Sequence, residues 1–500
     1  MNQFKIGAVL SYTTVIVSII IALFYTPLLI NTLGQSEYGL YSLIGSLAAY
    51  FSVMDFGLGN SIVRYTARNR ALGNNSLEAQ LNGLFFKIYT VIGMVTLVAG
   101  ILLYQNVDYI FNKGLTVAEL DKAKIMIIIL TINFAFSFPL SIFNSLVRAY
   151  EKFILDKFIS LVRIIAMPLI TIPLLMIGYN SIMLVIVTTT INIICLSIMM
   201  IYCFKILNVK LKFKSIEVSL FREILVYSFF IFLGVVVDQI NWKTNQVILG
   251  ILSSTSIVAI YAIAMQFINI YIQFSTSISS LFLPKVSIMV ANNATPKDLT
   301  ALMIKYGRLQ YIVISFIMGG FLISGSNFIE LWAGSNFNDA YYIVLIIMIP
   351  LTIPLIQNTG LSMLWAKNLQ KFRSITLLII GIVNVCISIP LVKSYGGIGA
   401  AIGTSASLFL GNVLMMNLYY KMKLKLDIFS FWKNILSLSF PVLGSSLIVG
   451  LIRYSLPQFE AIQGLLINTF IYCVLFVALG WLVGLNKNEK NLFISFMMRR

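Results

Sequence analysis

Histidine is absent from this 500-residue chain, which removes imidazole acid/base work, Ser-His-Asp hydrolysis and His-rich zinc sites. No glycine-rich phosphate loop ending in Lys-Ser/Thr occurs either, so P-loop ATP hydrolysis is excluded. Charge is scarce: 10% of residues carry it, against about a quarter in a soluble domain. Cysteine is scarcer still. Cys195, Cys203, Cys386 and Cys473 lie in apolar runs at unrelated spacings and read as small buried hydrophobes rather than a disulfide or thiolate framework. Neither a metal nor another cofactor is expected.

What the chain has is apolar sequence: 59% hydrophobic residues and a mean hydropathy of +0.94. Runs of about 20 residues, enough to cross a hydrocarbon core of about 30 Å at 1.5 Å per residue, recur along its whole length. They fall near 8–30, 38–61, 83–105, 124–147, 158–178, 181–204, 224–250, 257–283, 309–332, 340–364, 374–392, 397–420, 434–456 and 462–484. The first is too long for a signal-peptide core and lacks a small-x-small cleavage site, so it reads as a retained span. The pattern predicts an all-α integral membrane protein with 14 transmembrane helices.

An even number of spans puts both termini on one side. Placing that side in the cytoplasm leaves 29 of the 35 basic residues inside, as the positive-inside rule requires. The net charge of +18 is therefore a topological signal dispersed over short loops, not a basic face for nucleic acid. With this orientation the longest outward loop, about 106–123, is too short to house a catalytic domain, and no enzymatic activity is expected.

The chain also resembles itself at an offset of about 217 residues. Phe138-Pro139-Leu140 pairs with Ile353-Pro354-Leu355, and Ile172-Pro173-Leu174 with Ile389-Pro390-Leu391. The offset covers six spans, an even number, so the copies cross the membrane in the same direction and should be related by a pseudo-two-fold along the membrane normal. The expected organisation is a six-helix lobe at 1–215, a second at 216–426, and two further spans with a cytoplasmic carboxy terminus at 427–500.

Polar groups inside spans are the candidate functional residues, because lipid penalises each of them. On span seven, VVVDQINWKTNQVILG places Asp238, Gln239, Trp242, Lys243 and Gln246 on one side of a helix. Asp238 and Lys243 are five residues apart and poorly placed to pair with each other. Lys243 near the outer boundary could equally snorkel to headgroups, and Asp238 could serve an ion pair with another helix. Gln266, Asn269, Gln273, Thr276, Ser277 and Ser280 form a similar stripe on span eight, and Ser11, Thr14 and Ser18 a weaker one on span one. Interhelical hydrogen bonding explains such stripes as well as a polar cavity does. Span two ends with Asp55, glycines and then Arg64. Arg148 and Arg163, near the inner ends of spans four and five, are further candidate cations at the inner mouth.

Residues 34–64 (GQSEYGLYSLIGSLAAYFSVMDFGLGNSIVR), SSTSIVAIYAIA, LFLPKVS, FIELWAGSNFNDA and GGIGAAIGTSAS, in that order, resemble the bacterial Wzx-type polysaccharide flippases. Their superfamily also holds multidrug/toxin extruders and the lipid II flippase. The resemblance covers nearly the whole chain. It implies translocation of polyprenyl-pyrophosphate-linked oligosaccharide repeat units, destined for O-antigen or capsule, across the bacterial plasma membrane by alternating access. It also implies a cationic cavity, with Arg64 and Lys243 as the corresponding phosphate-binding residues. Trp242 offers a stacking face for a sugar ring, or equally an aromatic-belt anchor at the interface. Implied partners are the lipid-linked oligosaccharide, membrane lipid, Na+ or H+ as coupling ion, and the polysaccharide polymerase machinery, with the chain acting as a monomer. The alternatives are a cation-coupled multidrug extruder of the same superfamily and, less well supported, a membrane polymerase or glycosyltransferase of lipid-linked sugars.

Overall fold

The computed structural model describes residues 3–214, 217–280, 282–367, 369–455, 461–487, 489–491 and 494. The expected spans 257–283 and 434–456 each include a residue outside this set, 281 and 456. The described residues are helical almost throughout, as an apolar chain in lipid must be, because hydrocarbon leaves every backbone amide to be satisfied within the chain. Two compact units are separated at Ala259.

The first unit contains α1 (Gln3–Leu33), α2 (Gln35–Ser52), α3 (Leu58–Ala71), α4 (Asn75–Phe111), α5 (Val117–Ala149), α6 (Phe153–Met176), α7 (Ser181–Lys205) and α8 (Val218–Leu252). Helix α9 (Thr255–Ser280) begins in this unit and continues into the second. There follow α10 (Leu283–Ala291), α11 (Pro296–Ala333), α12 (Asp339–Ile356), α13 (Asn358–Ala366) and α14 (Gln370–Leu408). The chain ends in α15 (Met416–Lys423), α16 (Ile428–Leu436), α17 (Ser439–Ser455) and α18 (Ala461–Leu479). The boundary at Ala259 leaves α8 with the first unit, where it packs on α2 and α3.

Among the described residues, thirteen stretches are long and apolar enough to cross a membrane, one fewer than the sequence pattern gives. The difference lies in Phe372–Lys423, a 52-residue helical stretch covering the expected spans 374–392 and 397–420. It is interrupted at Gly396, whose φ of 54° and ψ of −129° are not helical. A Cβ on Gly399 would sit 2.1 Å from the Leu391 carbonyl oxygen, and one on Gly403 2.1 Å from Ser388 Oγ. In an unbroken helix those pairs would be about 12 and 22 Å apart, so the chain doubles back at Gly396. The run GGIGAAIGTSAS supplies the small side chains that let the two arms touch.

Helix α5 is the hub of the first unit, packing on α3, α4 and α7 around buried Tyr65, Phe85, Tyr89 and Phe143. At the end of the unit where α2 begins, two carboxylates tie helix starts together. Glu37 accepts from Lys122 Nζ and from the Ser181 amide and hydroxyl, each at 2.9 Å. Glu119 closes a capping box with Thr116 and accepts from Thr255 Oγ1 at 2.6 Å. Gly39 lies against the first turn of α9, where a Cβ would fall 1.8 Å from the Thr255 carbonyl oxygen.

In the second unit, α11, α17 and α18 pack around Ile323, Val442, Tyr472 and Phe476. Arg308, 4% exposed, meets Glu489 through Nε at 2.6 Å and Nη2 at 2.8 Å, and its remaining donors reach the Asn434 and Gly484 carbonyls and Ser437 Oγ. Removing one member of a buried pair costs about 3–5 kcal/mol, whereas an apolar replacement of both is often near neutral. Arg308→Ala is thus expected to destabilise the protein by about that much, with Arg308→Met/Glu489→Leu recovering most of it. Thermal unfolding in detergent reads both, and equal losses in the two variants would refute the pairing argument. Gly399→Val should likewise cost at least the ~1–3 kcal/mol of an overpacked contact, and a wild-type melting temperature would contradict the close approach.

Candidate functional site

The span beginning at Gln35 is broken in its middle. Helix α2 ends in a short 3-10 turn, Val53–Asp55, after which Phe56 (φ 52°) and Gly57 (φ 71°) take left-handed backbone before α3 begins. Such a break frees amides that lipid cannot satisfy, and side chains near it must do so. Asp55 serves this purpose: its Oδ2 accepts from the Gly59 amide at 3.4 Å, and its Oδ1 accepts from Tyr89 Oη at 2.5 Å. Tyr89 is fully buried on α4, so the acid is held against the core of the first unit. Sequence reasoning found Asp55 but not Tyr89, whose hydroxyl in an apolar run was the available signal.

Arg64, two turns further along α3, is exposed, and its guanidinium lies 4.4 Å from the Tyr227 ring centroid on α8. It shares a pocket of about 500 Å3 with Tyr65, Ser219, Arg222 and Glu223. Lys243, by contrast, lies sixteen residues beyond Tyr227, about 24 Å along the helix. The two cations therefore sit near opposite ends of α8 and do not converge on one phosphate.

The other inner-mouth candidates differ from each other. Arg148 is engaged: its Nε lies 3.7 Å from Asp156 on α6, with Asn144 oriented to donate to that carboxylate and accept from the arginine, each at 3.0 Å. Arg163 is exposed on α6. A further polar pocket of about 370 Å3 was not anticipated, and it holds Arg70, Glu78, Asn82, Tyr150 and Lys210. There Arg70 stacks 3.7 Å from the Tyr150 ring centroid, and Tyr150 donates to the buried Glu78. Burial, with the Glu78 carboxylate next, pushes the Tyr150 hydroxyl above its ordinary pKa, so it remains a donor at neutral pH.

On α8 the expected polar side is graded rather than uniform. Asp238 is exposed, Trp242 and Lys243 are half-buried, and Gln246 is buried. Thr244, on the same stretch, hydrogen-bonds the Tyr50 hydroxyl of α2. Gln239 is half-buried, and its Oε1 has no hydrogen-bond partner among the described residues. In the second unit, Asn269 and Gln273 are exposed on α9 and Gln266 is half-buried. Many hydroxyls of the expected stripes turn back on their own helix: Thr14 donates to the Leu10 carbonyl, Ser18 to Val15, and Ser277 to Gln273. That local bond satisfies a hydroxyl in lipid without any ligand.

A model of the family described as "Polysaccharide biosynthesis protein" matches residues 7–289. The chain belongs to that family. No curated protein sequence matches it significantly. Among solved structures it is similar to the lipid II flippase MurJ in its inward closed conformation, with 18% identity, a TM-score of 0.72, and coverage of 95% of this chain and 98% of that one. It is also similar to a multidrug resistance MATE family transporter of the MOP superfamily in an inward-facing conformation (13% identity, TM-score 0.60, 83% of this chain and 99% of that one). A MOP superfamily transporter from Pyrococcus furiosus is a third (12% identity, TM-score 0.55, 85% and 94%). At such identities the likeness establishes the fold. This member of the polysaccharide biosynthesis family is a multi-pass membrane protein with the MOP transporter fold.

The pairing of Asp55 with Tyr89 makes a measurable claim. A hydrogen bond to a charged group contributes about 1.5–3 kcal/mol, so a double-mutant cycle of Asp55→Asn and Tyr89→Phe is expected to show coupling of about that size in unfolding free energy. Additive effects would mean that the two side chains do not support each other.

Proposed function

We propose that this chain carries polyprenyl-pyrophosphate-linked oligosaccharide repeat units from the cytoplasmic to the outer face of a bacterial plasma membrane by alternating access. The observation that carries this reading is the family match over residues 7–289 in a chain whose fold is similar, over 95% of its length, to a lipid II flippase. A lipid with a charged, sugar-bearing head needs a wet polar path for the head and an open flank for the tail. Candidate residues for the head are Asp238, Gln239, Trp242 and Lys243 on α8, and Gln266, Asn269 and Gln273 on α9. The buried Gln239 oxygen supports this assignment, since an acceptor lacking a protein partner is one that water or a sugar hydroxyl would satisfy.

Counting the hairpin at Gly396 as two passes gives fourteen, with six-span lobes at 1–215 and 216–426 and two further spans in 427–500. The distribution of basic residues favours cytoplasmic termini. Asp238 is the candidate site for a coupling Na+ or H+. The likeness to a MATE transporter favours one rival, cation-coupled extrusion of drugs.

A strain lacking the chain should lose surface glycan and accumulate glycan-loaded polyprenyl pyrophosphate. Wild-type protein should restore export, and Lys243→Glu should lower it about tenfold, as expected for loss of a charge-assisted contact of ~1.5–3 kcal/mol. Normal glycan combined with sensitivity to cationic dyes would transfer the assignment to drug extrusion.

A further inference from the structure

We propose that the first unit holds a resident anionic phospholipid where α3, α4 and α8 meet, with its chains in an apolar groove and its phosphate between Arg64 and Arg222. The groove encloses about 780 Å3 and is walled by Phe56, Ile88, Ile92, Phe229 and Phe232. The rings of Phe56 and Phe232 meet in it, tilted by 35° with centroids 4.9 Å apart. Behind this wall α3 and α8 are sealed together: the Ser61 and Ser228 hydroxyls bond each other at 2.6 Å, and a Cβ on Gly57 would lie 2.8 Å from the Ser228 carbonyl oxygen. Ser228, the polar residue of the lining, is thereby engaged, and the groove offers hydrocarbon contact.

Its mouth is of the opposite character. The Arg64 pocket shares Val226 and Phe230 with the groove and adds Arg222, Glu223 and Tyr227. Glu223 is engaged by the Tyr65 hydroxyl at 3.0 Å and by Arg68 at 3.8 Å. Among the described residues neither Arg64 nor Arg222 forms an ion pair, so two guanidinium groups face outward with their charge uncancelled. Stacking on Tyr227 holds Arg64 in place. A fork of donors of this kind suits a phosphate.

The order of these parts along the helices favours one occupant. Toward the mouth the chain runs from Phe56 through the start of α3 to Arg64, and α8 from Phe232 back to Arg222, so two oppositely directed segments set aromatic ends together and basic ends together. Those segments measure about 12–15 Å, half of a ~30 Å core and hence one leaflet. An anionic phospholipid of the leaflet bordering Arg64 has the same sequence of parts and the same length. A polyprenyl carrier has an isoprenoid chain far longer than a leaflet. This resident lipid is distinct from the cargo proposed above, and the inference does not depend on that cargo.

Native mass spectrometry of the full-length protein, offered phosphatidylglycerol, phosphatidylcholine or polyprenyl phosphate, tests it. Phosphatidylglycerol should be retained about tenfold more strongly than phosphatidylcholine, and this preference should shrink as salt screens the phosphate contact. The preference should vanish in Arg64→Ala/Arg222→Ala, two exposed positions, and persist in Lys421→Ala/Lys423→Ala on α15. Equal retention of the two phospholipids, or a preference unchanged in the double arginine variant, would overturn the proposal. So would polyprenyl phosphate displacing phosphatidylglycerol through the same two arginines.

Discussion

Hydrocarbon accepts no hydrogen bond, and each polar group placed in it must find its partner within the protein. Most features of this structure follow from that constraint. Hydroxyls of Thr90, Thr96 and Thr188 donate to the carbonyl four residues back on their own helices. Asp55 meets the same demand at a harder place, where the span opens at Phe56 and Gly57 and the next amides would be stranded. Groups that escape the constraint, such as the Gln239 oxygen, are correspondingly informative.

Apolar burial does not drive helices together in lipid, so close packing and a few strong polar ties must do so. Gly39 against Thr255, and Gly399 against Leu391, show backbones meeting where a methyl group would not fit. The polar ties sit at helix ends, where Glu37 and Glu119 gather amides and hydroxyls from several starts at once. Arg308 and Glu489 anchor the segment after α18 in the same manner. The tie at Glu37 stands at the start of the span that is broken at Phe56 and Gly57.

Electrostatics divides the charged residues into two classes. Acids inside the fold are largely matched: Asp55 with Tyr89, Asp156 with Arg148, Glu78 with Tyr150. Arg64 and Arg222 are left facing outward beside an apolar groove. A surface of that composition attracts anionic headgroups, and both the cargo and the resident lipid proposed for this protein carry phosphate.

Hydropathy alone determined the membrane class, the helical architecture and the position of nearly every span, because a bilayer tests each 20-residue window for apolarity almost independently of the rest. The small-residue run at 396–407 was visible too, although only the contact of Gly399 with Leu391 shows that it folds into a hairpin. Which polar residues are available for function was another matter. Asp55 and Arg64 are nine residues apart in the sequence, yet one is occupied by a broken helix and a tyrosine from α4, and the other is exposed in a pocket with Arg222. Lys243 and Arg64, grouped by charge, are separated by some 24 Å of α8. Periodicity assigns a side chain to a face of its own helix, but whether that face meets a partner, a groove or lipid is decided by the neighbouring helices, which only the tertiary structure supplies.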